Sequence, residues 1–198
     1  MAPLPQSFFA RPVDELARAL LGCRIRLGPV VLRITEVEAY AGPEDTASHA
    51  RFGPTDRNAP MWGPPGRAYV YLCYGLHNMF NVTAETRGRA GAVLVRACEP
   101  VAGHQQVTQR RGGIAGPASL TGPGKVGAAL AISPRWSGHP LYRSGGLSVC
   151  ARAKGEEPAR VLAGPRVGID FAAPEDRLRS WRFAVDGSAW VSQRRGLS

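Results

Sequence analysis

Lysine is almost missing from this 198-residue chain, standing only at positions 125 and 154. Acidic residues are also scarce, 15 against 25 basic ones, which leaves a net charge of +10. GC-rich coding would account for arginine replacing lysine, but not for the shortage of Asp and Glu. A balance this basic favours polyanions, because neutralising phosphates releases their condensed counterions. Close cysteine pairs are absent too: Cys23, Cys73, Cys98 and Cys150 stand singly, with no CxxC. That removes zinc-ligand spacing and makes a disulfide framework a poor fit, so four reduced, mostly buried thiols are expected and no metal site is assigned. The longest apolar stretch, around residues 126–132, is far too short to cross a bilayer. The N-terminus lacks the basic start and apolar block of an export signal. These absences point to a soluble, cytoplasmic protein (nucleoid-associated in a bacterium) with no membrane partner.

What is present is a chain of turns and short strands. Its 24 glycines and 17 prolines are scattered rather than clustered, which argues for many turns and against disorder. Residues 14–21 read as a helix behind Pro12, with Leu16, Leu20 and Leu21 on one face and Gly22 as its stop. Residues 23–27 and 30–40 read as a hairpin with a long second strand. Residues 43–65 are mostly loop, with one helical turn at 46–51 behind Asp45. Strands are expected at 67–72, 78–84, 92–96, 147–151, 161–169 and 181–185, a flexible basic loop at 107–123, and a helix at 125–132. Strands outnumber helices and neighbours are close in sequence. The expectation is a single α+β domain over residues 1–198, with a largely antiparallel curved sheet, a protruding β-hairpin, flanking short helices and flexible ends at 1–10 and 193–198.

Chemistry concentrates between Glu36 and Asn81. An acidic strand end (EVEAY), a histidine loop (DTASHARF) and an aromatic strand (YVYLCYG) follow one another closely. A carboxylate among aromatic rings on a basic chain suits an enzyme that handles a nucleobase. Strand alternation puts Leu32, Ile34, Glu36, Glu38 and Tyr40 on one face. If that face is the core side, the strand leaves the core into a cleft there, where a carboxylate can act as general base on a water. Glu36 and Glu38 could equally be solvated or paired with arginine. His49 alone reads as readily as a surface or capping residue, and Tyr69 and Tyr71 as paving of a sheet. Tyr74, beside Gly75 at a hairpin turn, is a candidate wedge into stacked bases.

The segments EVEAYAGPEDTASHA, Arg57-Asn58, PGRAYVYLCYG, NMFNVTAE, AVLVRACEP, LTGPGKVGAALAI and RVGID, in this order, resemble the alkyladenine (3-methyladenine, methylpurine) DNA glycosylase family from about Pro12 to Ser192. The resemblance implies a DNA repair enzyme. It would flip alkylated or deaminated purines (3-methyladenine, 7-methylguanine, hypoxanthine, ethenoadenine) from double-stranded DNA and hydrolyse the N-glycosidic bond, leaving an abasic site. Glu38 matches the catalytic carboxylate. Tyr40, His49 and Tyr71 match the residues that sandwich the flipped base, with Tyr69 an aromatic behind them. Asn81 matches the asparagine that crowds a guanine 2-amino group, and Tyr74 the intercalating tyrosine. Arg96 matches an arginine near the pocket and backbone. Arg51, Lys125 in the GPGK helix start, Arg110 and Arg111 are further candidate DNA contacts. The implied protein is a monomer without cofactors and a monofunctional glycosylase, because a lyase would need an amine beside the acidic strand. The alternative is a non-catalytic minor-groove binder of distorted DNA, in which Glu38 would be idle. An RNA-binding module rests on charge alone. His77-Asn78 departs from the more apolar residues usual after the wedge turn.

Overall fold

Val13, Leu16, Ala17 and Leu20 recur at helical spacing and are all buried, which makes α1 (Val13–Leu20) an amphipathic helix lying on the core. Pro12 precedes it, Asp14 and Glu15 sit in its first turn, and Arg18 sits in its last, each favourable to the helix dipole. Four helices and eight strands are formed among the described residues, 1–86 and 88–198 of this computed structural model. The strands are β1 (Arg24–Leu27), β2 (Val30–Tyr40), β3 (Ala68–Cys73), β4 (His77–Thr83), β5 (Ala92–Ala102), β6 (Ser148–Cys150), β7 (Val161–Gly164) and β8 (Arg182–Val185). They build one antiparallel sheet in the order β3-β4-β5-β2-β1-β6, to which β8 adds by pairing with both β2 and β7. The long strand β2 is its axis. One edge pairs with β5 throughout, and the other pairs first with β1 and then, from Glu36 to Glu38, with β8.

The remaining helices are α2 (His104–Arg110), α3 (Pro123–Leu130) and α4 (Pro174–Leu178). Helix α2 lies where a flexible loop was expected to begin. It buries Val107 alone, so its sequence carries no apolar stripe to announce it. Helix α3 sits so close to β4 that a Cβ on Gly127 would lie 1.9 Å from the Asn78 carbonyl oxygen. The Asn78 amide clamps the far end of the same helix through a 2.8 Å bond to the Ile132 carbonyl. The stem of the β3–β4 hairpin is thereby held against α3, while its tip stands clear.

A further expectation is corrected. The strand expected over 161–169 ends at Gly164, because Pro165 has no N–H to offer a ladder and Arg166 turns inward to Asp45. Both terminal segments make backbone bonds to the rest of the domain. Leu4 donates to the Val149 carbonyl, Phe9 is fully buried, and Ser198 and Ala163 exchange backbone bonds. Arg182, itself buried, donates to the carbonyls of Gln193 and Arg195. All four cysteines are free thiols, with Cys23, Cys98 and Cys150 buried. No helix among the described residues is long and apolar enough to cross a membrane.

Candidate active site

The site begins with two β-bulges. Ile34 pairs with Cys98 but Glu36 pairs with Ala97, so Thr35 is an extra residue on β2; Val37 then pairs with Val95, so Arg96 is an extra residue on β5. Each bulge reverses the alternation of its strand. Leu32 and Ile34 belong to the core cluster, and beyond the bulge it is Val37 and Ala39 that do. Glu36, Glu38 and Tyr40 therefore do not continue the face of Leu32 and Ile34, as simple alternation predicts. They lie on the opposite face from the core, and Arg96 is turned to meet them.

Register then assembles a row across four strands. Glu38 on β2 pairs with Leu94 on β5, Leu94 with Asn81 on β4, and Asn81 with Tyr69 on β3. Over this row lies a cavity of about 520 Å³, within the range of small-molecule sites. Tyr40, His49, Tyr69, Tyr71, Asn81 and Arg96 line it. His49 Nδ1 and the Tyr69 hydroxyl are 2.8 Å apart. The His49 ring meets Tyr71 edge-on with centroids 4.5 Å apart, and Tyr69 and Tyr71 are 5.4 Å apart. Asn81 donates its amide to the Tyr69 carbonyl at 3.0 Å. Glu38 is fully buried, just beneath the cavity surface. Its Oε1 accepts from the Val167 N–H at 2.7 Å and faces Arg96 at 3.2 Å, and its Oε2 accepts from the Tyr40 hydroxyl at 2.8 Å. All three partners line the cavity, so the carboxylate lies one hydrogen bond behind its wall.

The methylpurine-DNA glycosylase family model matches residues 7–189. The chain belongs to the methylpurine-DNA glycosylase family. It is 55% identical to a Nitrosococcus oceani protein provisionally named a 3-methyladenine DNA glycosylase, over 98% of this chain and 95% of that one. It is also 52% identical to the DNA-3-methyladenine glycosylase of Arabidopsis thaliana, over 97% of this chain and 75% of that one.

In this family member the two carboxylates of β2 have different partners. Glu36 is fully buried and bonds Arg96, Arg182 and the Ser192 hydroxyl, so it anchors the C-terminal segment and the back of Arg96. Burial alone would lower the Arg96 pKa, but the charges of Glu38 and Glu36 outweigh it and raise the net value. Burial first, then the Glu38 charge, pushes the Tyr40 hydroxyl well above its ordinary value, so it stays a donor. Tyr69 is pushed up to about 12, chiefly by burial. His49 is lowered to about 4, first by partial burial and then by the positive charges of Arg57 and Arg51. Its imidazole is accordingly neutral near pH 7.

Tyr74 stands at the hairpin tip, 92% exposed, and Leu76 beside it is 78% exposed. Tyr74 and Gly75 both have positive φ (50° and 69°), and Leu76 N–H closes the turn onto the Cys73 carbonyl at 3.0 Å. These are the features of a primed hairpin turn, which glycine accepts freely and tyrosine only with strain. Tyr74 also borders the mouth of the cavity, as does Arg51. Lys125 and Arg111 instead line a second cavity of about 410 Å³, between Leu76 and His77 of the hairpin and the start of α3. Arg110 is turned onto the Ala129 carbonyl at the end of α3 and lines neither cavity.

Sequence reasoning passed over Arg57, whose guanidinium lies 5.4 Å from the Tyr71 ring centroid, and Val167. It also passed over Arg166, fully buried in a two-pronged pair with Asp45 at 2.6 and 2.8 Å and stacked 4.8 Å from the Tyr40 ring centroid. Both stretches stand out in the sequence (Arg57-Asn58 and RVGID), but nothing local says what they touch. Among the described residues no cluster of His, Cys, Asp and Glu could hold a metal ion.

Proposed function

We propose that the chain is a monofunctional DNA N-glycosylase that takes alkylated purines out of duplex DNA and hydrolyses their N-glycosidic bond, leaving an abasic site. The observation that carries this is the placement of Glu38. It is a buried carboxylate whose three donors, Tyr40, Arg96 and Val167, wall a cavity that is otherwise lined with aromatic rings. The everted purine stacks between Tyr40 on one side and His49 with Tyr71 on the other. Alkylation at N3 or N7 makes the ring cationic and electron-poor, which adds a cation–π attraction of about 0.5–2 kcal/mol per aromatic contact.

As the bond from C1′ to the purine nitrogen lengthens, its electron pair passes to the ring and the sugar takes on oxocarbenium character. A water oxygen bonds to C1′, and Glu38 accepts the proton that this water gives up. An alkylated purine departs as a neutral molecule and needs no acid. Since His49 is neutral near pH 7, it positions the ring rather than protonating a leaving base, and lesions already cationic are favoured. Asn81, bordering the cavity floor, crowds a guanine 2-amino group. Tyr74 enters the minor groove and fills the gap the purine leaves, offsetting an extrusion cost of about a few kcal/mol. Neither Lys125 nor Lys154, the two lysines of the chain, lines the cavity in front of Glu38, which supports hydrolysis without a lyase step.

The test is a set of single-lesion duplexes scored for released base, with wild type and Glu38→Gln side by side. The variant should bind lesion duplex nearly as well and release no base. Release at the wild-type rate would remove Glu38 from the reaction. Binding without release by the wild-type protein would favour a non-catalytic minor-groove binder. A covalent adduct trapped by borohydride would overturn the monofunctional assignment.

A further inference from the structure

At the mouth of the base cavity, away from the reacting groups, Arg51 lies between two exposed phenylalanines. Its guanidinium carbon is 4.6 Å from the centroid of Phe52 and 5.2 Å from that of Phe171. Phe52 is 85% exposed and Phe171 64% exposed, among the most exposed large apolar side chains described. The guanidinium is pinned as well, donating to the Ser48 carbonyl at 3.0 Å. Two rings held to one cation in this way are ordered, yet their outer faces cover nothing. Two bulky rings left in water on a strongly basic surface, continuous with a cavity mouth, call for an occupant that is flat and belongs to an anion. The three residues come from two loops, residues 51 and 52 following β2 and residue 171 following the Arg166–Ile169 segment, so packing of a local strand or helix does not explain them.

We infer that Phe52, Arg51 and Phe171 form a stacking platform for a second, unstacked nucleobase of the same DNA, next to the one that enters the cavity. This rests on the function proposed above and adds a contact that it does not require. The chemistry fits a nucleobase better than a lipid or a protein loop. Every base offers a π-face to the outer side of Phe52, Arg51 supplies charge toward the adjoining phosphate, and such stacking is tolerant of sequence. The arrangement also gives the protein a hold on DNA that is locally unpaired, for which no second strand has to be separated.

The experiment measures binding of fluorescein-labelled oligothymidylate, a single strand with no lesion, by anisotropy for wild type, Phe52→Ala, Phe52→Leu and Phe52→Trp. Phe52 is the ring that does not line the cavity, and 85% exposure means that these variants fold. Loss of one base–aromatic stack should weaken binding about 5- to 150-fold in Phe52→Ala. Phe52→Leu, which keeps the apolar bulk without the π-face, should be nearly as weak, and Phe52→Trp should bind at least as well as wild type. Equal affinity in all four proteins, or Leu matching Phe, overturns the platform. Concentration-dependent self-association that Phe52→Ala abolishes would assign the face to a second copy of the chain and overturn it too. Base release from lesion duplex by the wild type, measured in parallel, tests the proposed function separately: its absence alongside an intact Phe/Leu/Trp ladder would strike that reading and leave the stacking contact standing.

Discussion

Removing the Arg166 guanidinium, as in Arg166→Met, should expose how the cavity wall is held. Both members of the Asp45–Arg166 pair have fully buried side chains, joined by two bonds of 2.6 and 2.8 Å. Methionine fills much of the same volume but leaves Asp45 with only the backbone N–H groups of Ala41 and Ala47. It also strips the Ala39 carbonyl of its 2.8 Å donor. Breaking one partner out of a buried pair costs about 3–5 kcal/mol, mostly for the charge left behind. In a chain this long each kcal/mol moves the melting temperature by about 2–4 °C, so the variant should melt about 6–20 °C lower. Asp45→Asn together with Arg166→Met removes the stranded charge and keeps an acceptor. The double variant should therefore lose less than the sum of the two single losses, by about 0.5–3 kcal/mol. Circular-dichroism melts at neutral pH measure all four proteins. A fall of less than about 2 °C in Arg166→Met, or strict additivity in the cycle, would mean that water reaches Asp45 and that the pair does not brace this wall.

Other outcomes follow from the same geometry. The His49 side-chain NMR signals should titrate with a midpoint of about 4 rather than 6.5, rising in Arg57→Ala as one opposing charge is removed. Because this pKa is depressed in the folded state, the unfolded chain binds more protons between those values. The His49 contribution to stability is therefore complete above pH 6.5 and is lost as pH falls through that window; a midpoint at or above 6.5 would refute it. Gly127→Ala should drive α3 off β4, since its Cβ would meet backbone at 1.9 Å, and lower stability by at least about 1–3 kcal/mol in chemical denaturation. A stability equal to wild type would contradict the close approach. Tyr74→Gly should melt no lower than Tyr74→Ala, because glycine accepts a φ of 50° without strain and the ring, 92% exposed, covers nothing. Relative to wild type, both variants should lose more base release from a normally paired purine than from a mismatched one. An equal effect on both would argue against the wedge.

Some of this architecture was written in short-range pattern. The apolar spacing of α1, the tyrosine-glycine turn of the β3–β4 hairpin and the excess of arginine each act within a few residues or through the whole charge, so composition and periodicity suffice to see them. The α+β class with its curved antiparallel sheet follows from the same strand pattern. Helix α2 escaped because a single buried valine makes no stripe. Glu38 and the tyrosines were singled out through their motif. Alternation along β2, taken alone, aimed the carboxylates along the wrong face.

What only the tertiary structure decided is which way those side chains turn and what holds them. A bulge is defined by the register of the partner strand, so nothing in VVLRITEVEAY shows that Thr35 is supernumerary until β5 lies beside it. What seats Glu38 and Tyr40 comes from far along the chain: the Val167 backbone amide bonds Glu38 across 129 positions, and the Arg166 guanidinium stacked on Tyr40 is itself held by Asp45 across 121. A backbone N–H is the same group at every non-proline residue, so its side chain carries no record of where it points. Only folding gives that group a direction.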